Sequence, residues 1–290
     1  YIESYVESLL SNKYIDNLTL IAIDFPFSHK SPNFVESQLK RVPNLQYIKF
    51  DYNISLYDAW NFAVRCADTE FVANLNLDDR VTDDYYEYGV RMLRSYKADI
   101  FSTFAIVTDK VGVVSENSAY EKFLDDDVFG DAEVTFYSLP DIFHFDDSKL
   151  VKKSIPHCAP IWRRSLHRNN GFFDSRKFDF AADTEFWARC AAAGAQLIVS
   201  RTYRVLFYCA PGTASDRLLH QDNAIIVEKL SSTFPPKNYK ENHLGRDHDL
   251  LHHVMNYNVI LSDSKYYSHV KNNPQIKAAV YSMQHLSNSE

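Results

Sequence analysis

Hydrophobic positions along the chain follow two periods that alternate. Ile2, Tyr5, Val6, Leu9 and Leu10 recur at helical spacing, which predicts an amphipathic helix from residue 1 to about 12. Leu18-Thr-Leu-Ile-Ala-Ile23 is short and apolar throughout, the pattern of a strand buried on both faces, and it ends at Asp24. A short helix around Asn33 to Lys40 then leads to a strand near Gln46 to Phe50. Ser55 is placed to cap a helix reaching Ala67, with Leu56, Trp60, Ala63, Val64 and Ala67 as its apolar stripe. Glu70 to Leu77 predicts a third strand that runs into Asp78-Asp79. A helix over Asp83 to Tyr96 and a strand over Ile100 to Val107 follow. Further on, the pattern predicts a helix from Thr184 to Ala193 and strands at Gln196 to Ser200 and Arg204 to Tyr208.

This alternation implies an α/β fold with a mostly parallel sheet and helices on both faces. Ligands of such sheets bind beyond the carboxyl ends of the strands, where Asp24, Asp78 and Asp79 fall. The stretch from Thr108 to Lys153 reads as irregular and acidic, with Asp125-Asp126-Asp127 and Asp146-Asp147, and long irregular segments tend to be functional loops. From Ser215 the pattern is mainly helical. Pro235-Pro236 marks a soft boundary, giving an α/β domain over residues 1–235 and a helical C-terminal extension over 236–290.

Composition narrows the partners. Apolar residues make up 46% of the 290, with 20 Phe and 19 Tyr, so the chain can fill a large core. A net charge of −7 argues against nucleic acid, because phosphate backbones select basic surfaces. Cys66, Cys158, Cys190 and Cys209 show no CxxC spacing and read as free thiols in a reducing, cytoplasmic setting. No apolar run is long enough to span a membrane, so membrane association would come through other parts of a longer chain. The chain begins at Tyr1 directly in a helical pattern, with no initiator Met, and is expected to be a piece of something longer.

Two adjacent carboxylates at a strand end repel each other, by roughly 4 kcal/mol at about 4 Å and an effective dielectric near 20. A divalent cation turns that repulsion into binding. Mg²⁺ or Mn²⁺ suits such a pair, since these ions are held by one or two carboxylates plus substrate phosphates. The alternative is that Asp78-Asp79 only complements the dipole of the next helix, as Asp83 and Asp84 do.

The surroundings of the pair decide between these. Ser55-Leu-Tyr-Asp-Ala-Trp-Asn61, followed by Glu70-Phe-Val-Ala-Asn-Leu-Asn-Leu-Asp-Asp79, resembles glycosyltransferase family 2. Members of that family carry a Gly-x-Tyr-Asp-Ala-x-Asn helix, a Gly-Glu strand start and a Leu-Asn-x-Asp-Asp metal motif. A second block looks like the acceptor half of the same family: His157-Cys-Ala-Pro-Ile-Trp-Arg-Arg-Ser165, Gly171-Phe-Phe-Asp174 and Ala182-Asp-Thr-Glu-Phe-Trp-Ala-Arg189. The resemblance covers roughly residues 1 to 215.

The resemblance implies a GT-A fold and a metal-dependent, inverting transfer of a sugar from a nucleotide-sugar donor to a hydroxyl acceptor, in glycan or polysaccharide synthesis. Asp24 matches the acid that contacts the nucleobase, Asp78 the one near the ribose and diphosphate, Asp79 the main metal ligand and Asp183 the catalytic base. An N-cap on the helix it precedes is the rival reading for Asp183. Asp58 and Asn61, one turn apart and opposite the apolar stripe, are candidate substrate contacts, although Asp58 also favours a first helical turn by charge alone. His157 is a candidate contact to acceptor or diphosphate and His220 a candidate metal ligand; a structural histidine explains each equally well. Arg246-Asp-His248-Asp249-Leu-Leu-His252-His253 has metal-like spacing but reads better as a solvated helix face. Trp187 and Arg189 read as packing and ion-pairing residues.

Departures from the family leave rival readings open. The first strand of the fold is expected upstream of Tyr1. Phe25-Pro26-Phe27 replaces a glycine turn after Asp24, Asn76 replaces an acid, and Ser55 replaces a glycine. A non-catalytic GT-A-like module of a larger protein and a metal-dependent nucleotidyltransferase are the alternatives; the second gives Asp183 no role.

Overall fold

The computed structural model describes residues 1–26, 32–121, 134–137, 143–145, 151–154, 156, 158–178 and 181–209. His157, His220, the helical extension with its boundary, the His248–His253 cluster and both acidic runs of the 108–153 stretch lie outside the described residues.

Helix α1 (Ile2–Leu10) turns Tyr5, Val6 and Leu9 inward. Strand β1 (Leu20–Asp24) pairs in parallel with β2 (Leu45–Lys49), and α2 (Pro32–Leu39) crosses between them. The period-two rule divides β1 between two layers. Leu20 and Ala22 pack with α1, while Ile21 and Ile23 meet Phe62 and Cys66 of α3 (Leu56–Cys66).

A second, larger sheet has the order β3 (Phe71–Ala73), β10 (Ile161–Arg163), β5 (Ile100–Thr108), β11 (Leu197–Tyr208) and β4 (Arg80–Val81). Its central pair, β5 and β11, is parallel from Ile100↔Leu197 to Thr108↔Tyr208. Strands β6 (Ala119–Glu121) and β7 (Val134–Tyr137) add to β5 and β11, and β8 (Phe143–Phe145) pairs with β9 (Val151–Ser154). Ile100 and Phe104 face a core built with α3 and α7 (Ala182–Ala192). Phe101 and Ala105 face the opposite core, built with α4 (Tyr85–Ser95). This is the expected GT-A α/β architecture, with helices on both faces of the central strands.

Close packing of α4 depends on Gly89. A β-carbon there would stand 2.4 Å from Ile161 Cδ1 and 2.9 Å from the Phe101 ring, so a larger residue would force these buried side chains to shift. Tyr85, Tyr88, Met92 and Leu93 fill the rest of that layer, each stabilising by about 1.5–3 kcal/mol when fully buried. Two short helices, α5 (Ser165–Asn170) and α6 (Ser175–Phe178), carry the chain from β10 to α7.

Four expectations need correction. The third strand stops at Ala73, since its ladder to β10 is only three residues long, and the acid pair stands beyond it on a turn. The two strands expected over 196–208 are one strand that absorbs irregularities around Tyr203. Short strands occur within the stretch read as irregular, because Val134–Tyr137 finds the edge of β11. The buried face of α3 is Tyr57, Asn61 and Val64, with Leu56 half exposed, so Asn61 does not lie away from the core.

Candidate active site

The acid pair sits on a four-residue turn from Asn76 to Asp79. Asp79 N donates to Asn76 O at 3.1 Å, and Asn76 Nδ2 donates to Asp79 Oδ2, also at 3.1 Å. Asp79 Oδ1 accepts from the backbone N–H of Tyr208, the last residue of β11, at 3.0 Å. Asp79 is only 1% exposed, whereas Asp78, on the turn itself, is half-buried. Burial pushes the Asp79 carboxyl up to about 6. The Tyr208 N–H opposes the rise, the Asp78 charge adds to it, and the Cys158 thiol and Asn76 amide oppose it further.

These residues fit a divalent cation. Each Asp79 oxygen accepts a hydrogen bond from a neutral donor and keeps lone-pair capacity for a metal, and Asp78 adds a second carboxylate on the adjacent residue. The nearest cation, Arg80, spends its donors elsewhere, on Leu77 O at 2.8 Å and Asp79 O at 2.6 Å. Among the described residues no three His, Cys, Asp or Glu side chains converge as a complete cage. A pair of carboxylates suits an ion that shares its shell with substrate phosphates.

A second group assembles around α3 and α7. Asp183 lies inside the first turn of α7, whose N-cap is Ala181, so it is not the helix cap. Its Oδ1 accepts from Thr184 N at 2.7 Å, and the Tyr57 hydroxyl donates to the same carboxylate. Burial raises its pKa above the ordinary carboxylate range, against the pull of these donors. Asn61 clamps Phe173 from α3: its Nδ2 donates to Phe173 O at 2.8 Å and its Oδ1 accepts from Phe173 N at 3.0 Å. Asp58 is engaged in a cap. Ser55 Oγ accepts from Asp58 N at 3.1 Å and donates to Asp58 Oδ2 at 2.8 Å.

The base of α7 is held by a buried fork. Arg189 Nε and Nη2 meet Glu185 Oε1 and Oε2 at 2.8 and 2.6 Å, both residues 2% exposed. Arg189 also donates to the carbonyls of Asn170 and Phe172. Trp187 packs edge-on against Trp162 and Phe186. His167 is similarly structural. Its Nε2 accepts from Trp162 Nε1 at 2.9 Å, so Nδ1 carries the proton toward Gly171 O at 3.1 Å.

Asp24 closes β1 and is buried. It accepts from the Tyr47 hydroxyl across the β1–β2 ladder, and its carbonyl accepts from Phe50 N at 2.8 Å. Asp83 and Asp84, at the start of α4, pair with Lys13 and Arg204. The structure thus joins Asp78 with Asp79, and Asp183 with the Tyr57 helix. It gives Asp58 and Asn61 partners within the protein. Sequence reading missed the Tyr57 bond to Asp183, the Asn76 amide that orients Asp79, and Tyr208. The Asn-x-x-Asp spacing at 76–79 is a turn signature that could have revealed the second of these.

Residues 1–168 match the family described as Glycosyl transferase family 2. Among solved structures, S. aureus TarS 1-349 in complex with UDP-GlcNAc superposes with a TM-score of 0.56 at 15% identity, over 96% of this chain and 75% of that one. S. aureus TarS gives 0.58 at 15% identity, over 96% of this chain and 44% of that one. GalNAc-T7 with UDP, GalNAc and Mn²⁺ gives 0.55 at 9% identity, over 78% of this chain and 44% of that one. No curated protein sequence matches the chain. Among the described residues no helix is long and apolar enough to cross a membrane. The family match over more than half the chain and the shared fold lead to one conclusion: the chain belongs to glycosyl transferase family 2 and is a glycosyltransferase of the GT-A fold.

Proposed function

We propose that this glycosyltransferase uses Mn²⁺ or Mg²⁺ to move a sugar, with inversion, from a nucleotide-sugar donor to a hydroxyl of a glycan or other acceptor, in glycan or polysaccharide synthesis. The observation that carries the reading is the buried Asp79, oriented by Asn76 and Tyr208 beside Asp78, with oxygens that Arg80 leaves to a cation. Solved relatives of the fold include complexes with UDP-GlcNAc and with UDP and Mn²⁺, which makes a UDP-sugar the first donor to try.

A cation held by Asp78 and Asp79 would neutralise the diphosphate and ease departure of the nucleotide. The protein's own part is to position the reactants and move one proton. Asp183 takes the proton of the acceptor hydroxyl as that oxygen bonds to the anomeric carbon. The bond from that carbon to the diphosphate oxygen breaks, its electron pair leaving with the nucleotide. A carboxylate whose pKa is raised by burial is a stronger base than an exposed one, which suits this role. The Tyr57 hydroxyl and Thr184 N–H fix which face of the carboxylate meets the acceptor. Asp24 lies at the nucleobase end of the donor site. His157 and His220 stay candidates for acceptor contact and for the metal shell.

The test is nucleotide release from a panel of UDP-, GDP- and CDP-sugars, with Mn²⁺ and with EDTA. Release confined to the Mn²⁺ arm supports the reading. No release, with no thermal shift from any nucleotide, contradicts it.

A further inference from the structure

The geometry points to Arg80 as the positioning residue of the acid pair: it fixes the turn that presents Asp78 and Asp79 before any cation arrives. This rests on the reading of that pair as a cation and nucleotide site.

Arg80 is nearly buried, at 6% exposure, and its guanidinium binds backbone on both sides of Asp78. One nitrogen, Nη1, donates to Leu77 O at 2.8 Å and to Asp79 O at 2.6 Å. The other, Nη2, reaches α1, donating to Tyr1 O at 3.3 Å and to Ser4 Oγ. The guanidinium carbon also lies 5.6 Å from the centroid of the Tyr5 ring. The stem is covered from a third side. Gly112 has φ +69°, and a β-carbon there would stand 3.1 Å from Arg80 Cγ. The turn is therefore tied to α1 and to the loop after β5 through one side chain.

The arrangement separates two tasks that a nearby cation usually confuses. Arg80 places positive charge beside two carboxylates, yet its hydrogen bonds go to carbonyls and a hydroxyl, so the carboxylate oxygens are not consumed. Only a planar fork can bridge this set of acceptors; a lysine ammonium keeps the charge but cannot span them. Groups that orient metal-binding side chains typically change metal affinity by about 10–100-fold when altered.

The test is an electron paramagnetic resonance titration of Mn²⁺ with UDP on wild type, Arg80→Lys and Ser4→Ala, with melting temperatures recorded alongside. Arg80→Lys is expected to raise the half-saturating Mn²⁺ concentration roughly tenfold or more. Ser4→Ala, at an exposed position, removes one of the two contacts of Arg80 to α1 and leaves the Tyr1 carbonyl; it is expected to raise the half-saturating concentration roughly threefold, and it keeps the test open should the lysine variant not fold. A purely structural arginine would lower the melting temperature and leave the half-saturation point in place. Half-saturation within about twofold of wild type in Ser4→Ala and in any folded Arg80→Lys would overturn the proposal. Failure of the underlying reading looks different: wild type would then match Asp79→Ala, with no UDP-dependent Mn²⁺ signal in either.

Discussion

Asn76 and Asp79 are tied twice across one turn, once through the backbone and once through their side chains, each at 3.1 Å. The amide of Asn76 therefore sets the rotation of the Asp79 carboxylate, while Tyr208 fixes its other oxygen from the far end of β11. A neutral amide does this without adding a third charge to a site that already holds two.

Asn76→Ala should leave the turn's backbone bond in place and free the carboxylate to rotate. Hydrogen bonds to charged groups contribute about 1.5–3 kcal/mol, so Mn²⁺-dependent UDP binding is expected to weaken roughly tenfold or more. Calorimetry at fixed Mn²⁺ reads this directly. Unchanged affinity would make Asn76 a turn former only.

Asp183→Asn keeps the shape of the side chain and removes its basicity. A positioned base contributes about 10²–10⁴-fold, so kcat should fall on that scale while UDP-sugar binding is retained. Turnover close to wild type would remove Asp183 from the mechanism.

Asn61→Ala should act on stability. It deprives both backbone groups of Phe173 of their partner, and each buried unsatisfied group costs about 1–3 kcal/mol. Urea unfolding should show a loss in that range or above it. Loosening α3 from Phe173 also disturbs the Tyr57 hydroxyl on Asp183, so folded protein should lose kcat in addition.

The histidine inside the core makes stability depend on pH. Burial lowers His167 to about 3 from its ordinary 6.5, opposed by the Gly171 carbonyl. The unfolded chain therefore binds the proton more readily, and this contribution is present above about pH 6.5 and lost as pH falls toward 3. At pH 5 the loss is about 2 kcal/mol. Asp79, raised by burial, works in the opposite direction between its folded value of about 6 and its ordinary 3.8, its cost to stability fading as it protonates. The clean readout is thus the difference between wild type and His167→Gln by urea unfolding, which should shrink by about 2 kcal/mol from pH 7 to pH 5.

The α/β layering was legible in the sequence because the short apolar runs at 100–105 and 197–199 are buried on both faces, leaving no ambiguity of side. The Ser55 cap was legible for a similar reason: a serine three residues before an acid has a local partner. What escaped were relationships set by distant chain. Asn61 looked like a surface polar group until Phe173, far along the sequence, supplied both of its partners. Asp183 looked like a cap because its helix begins at Ala182, two residues earlier than the apolar pattern shows. The acid pair could be found from its motif, but its burial depends on Tyr208 and Arg80, which no local pattern connects to it.

In the proposed mechanism Asp79 is the residue that brings cation and nucleotide together. Calorimetric titration of UDP into wild type and Asp79→Ala, with and without Mn²⁺, tests it most directly. Binding in wild type that requires Mn²⁺ and is absent from the folded variant is the predicted result. UDP binding that is indifferent to Mn²⁺, or that survives in Asp79→Ala, would contradict it.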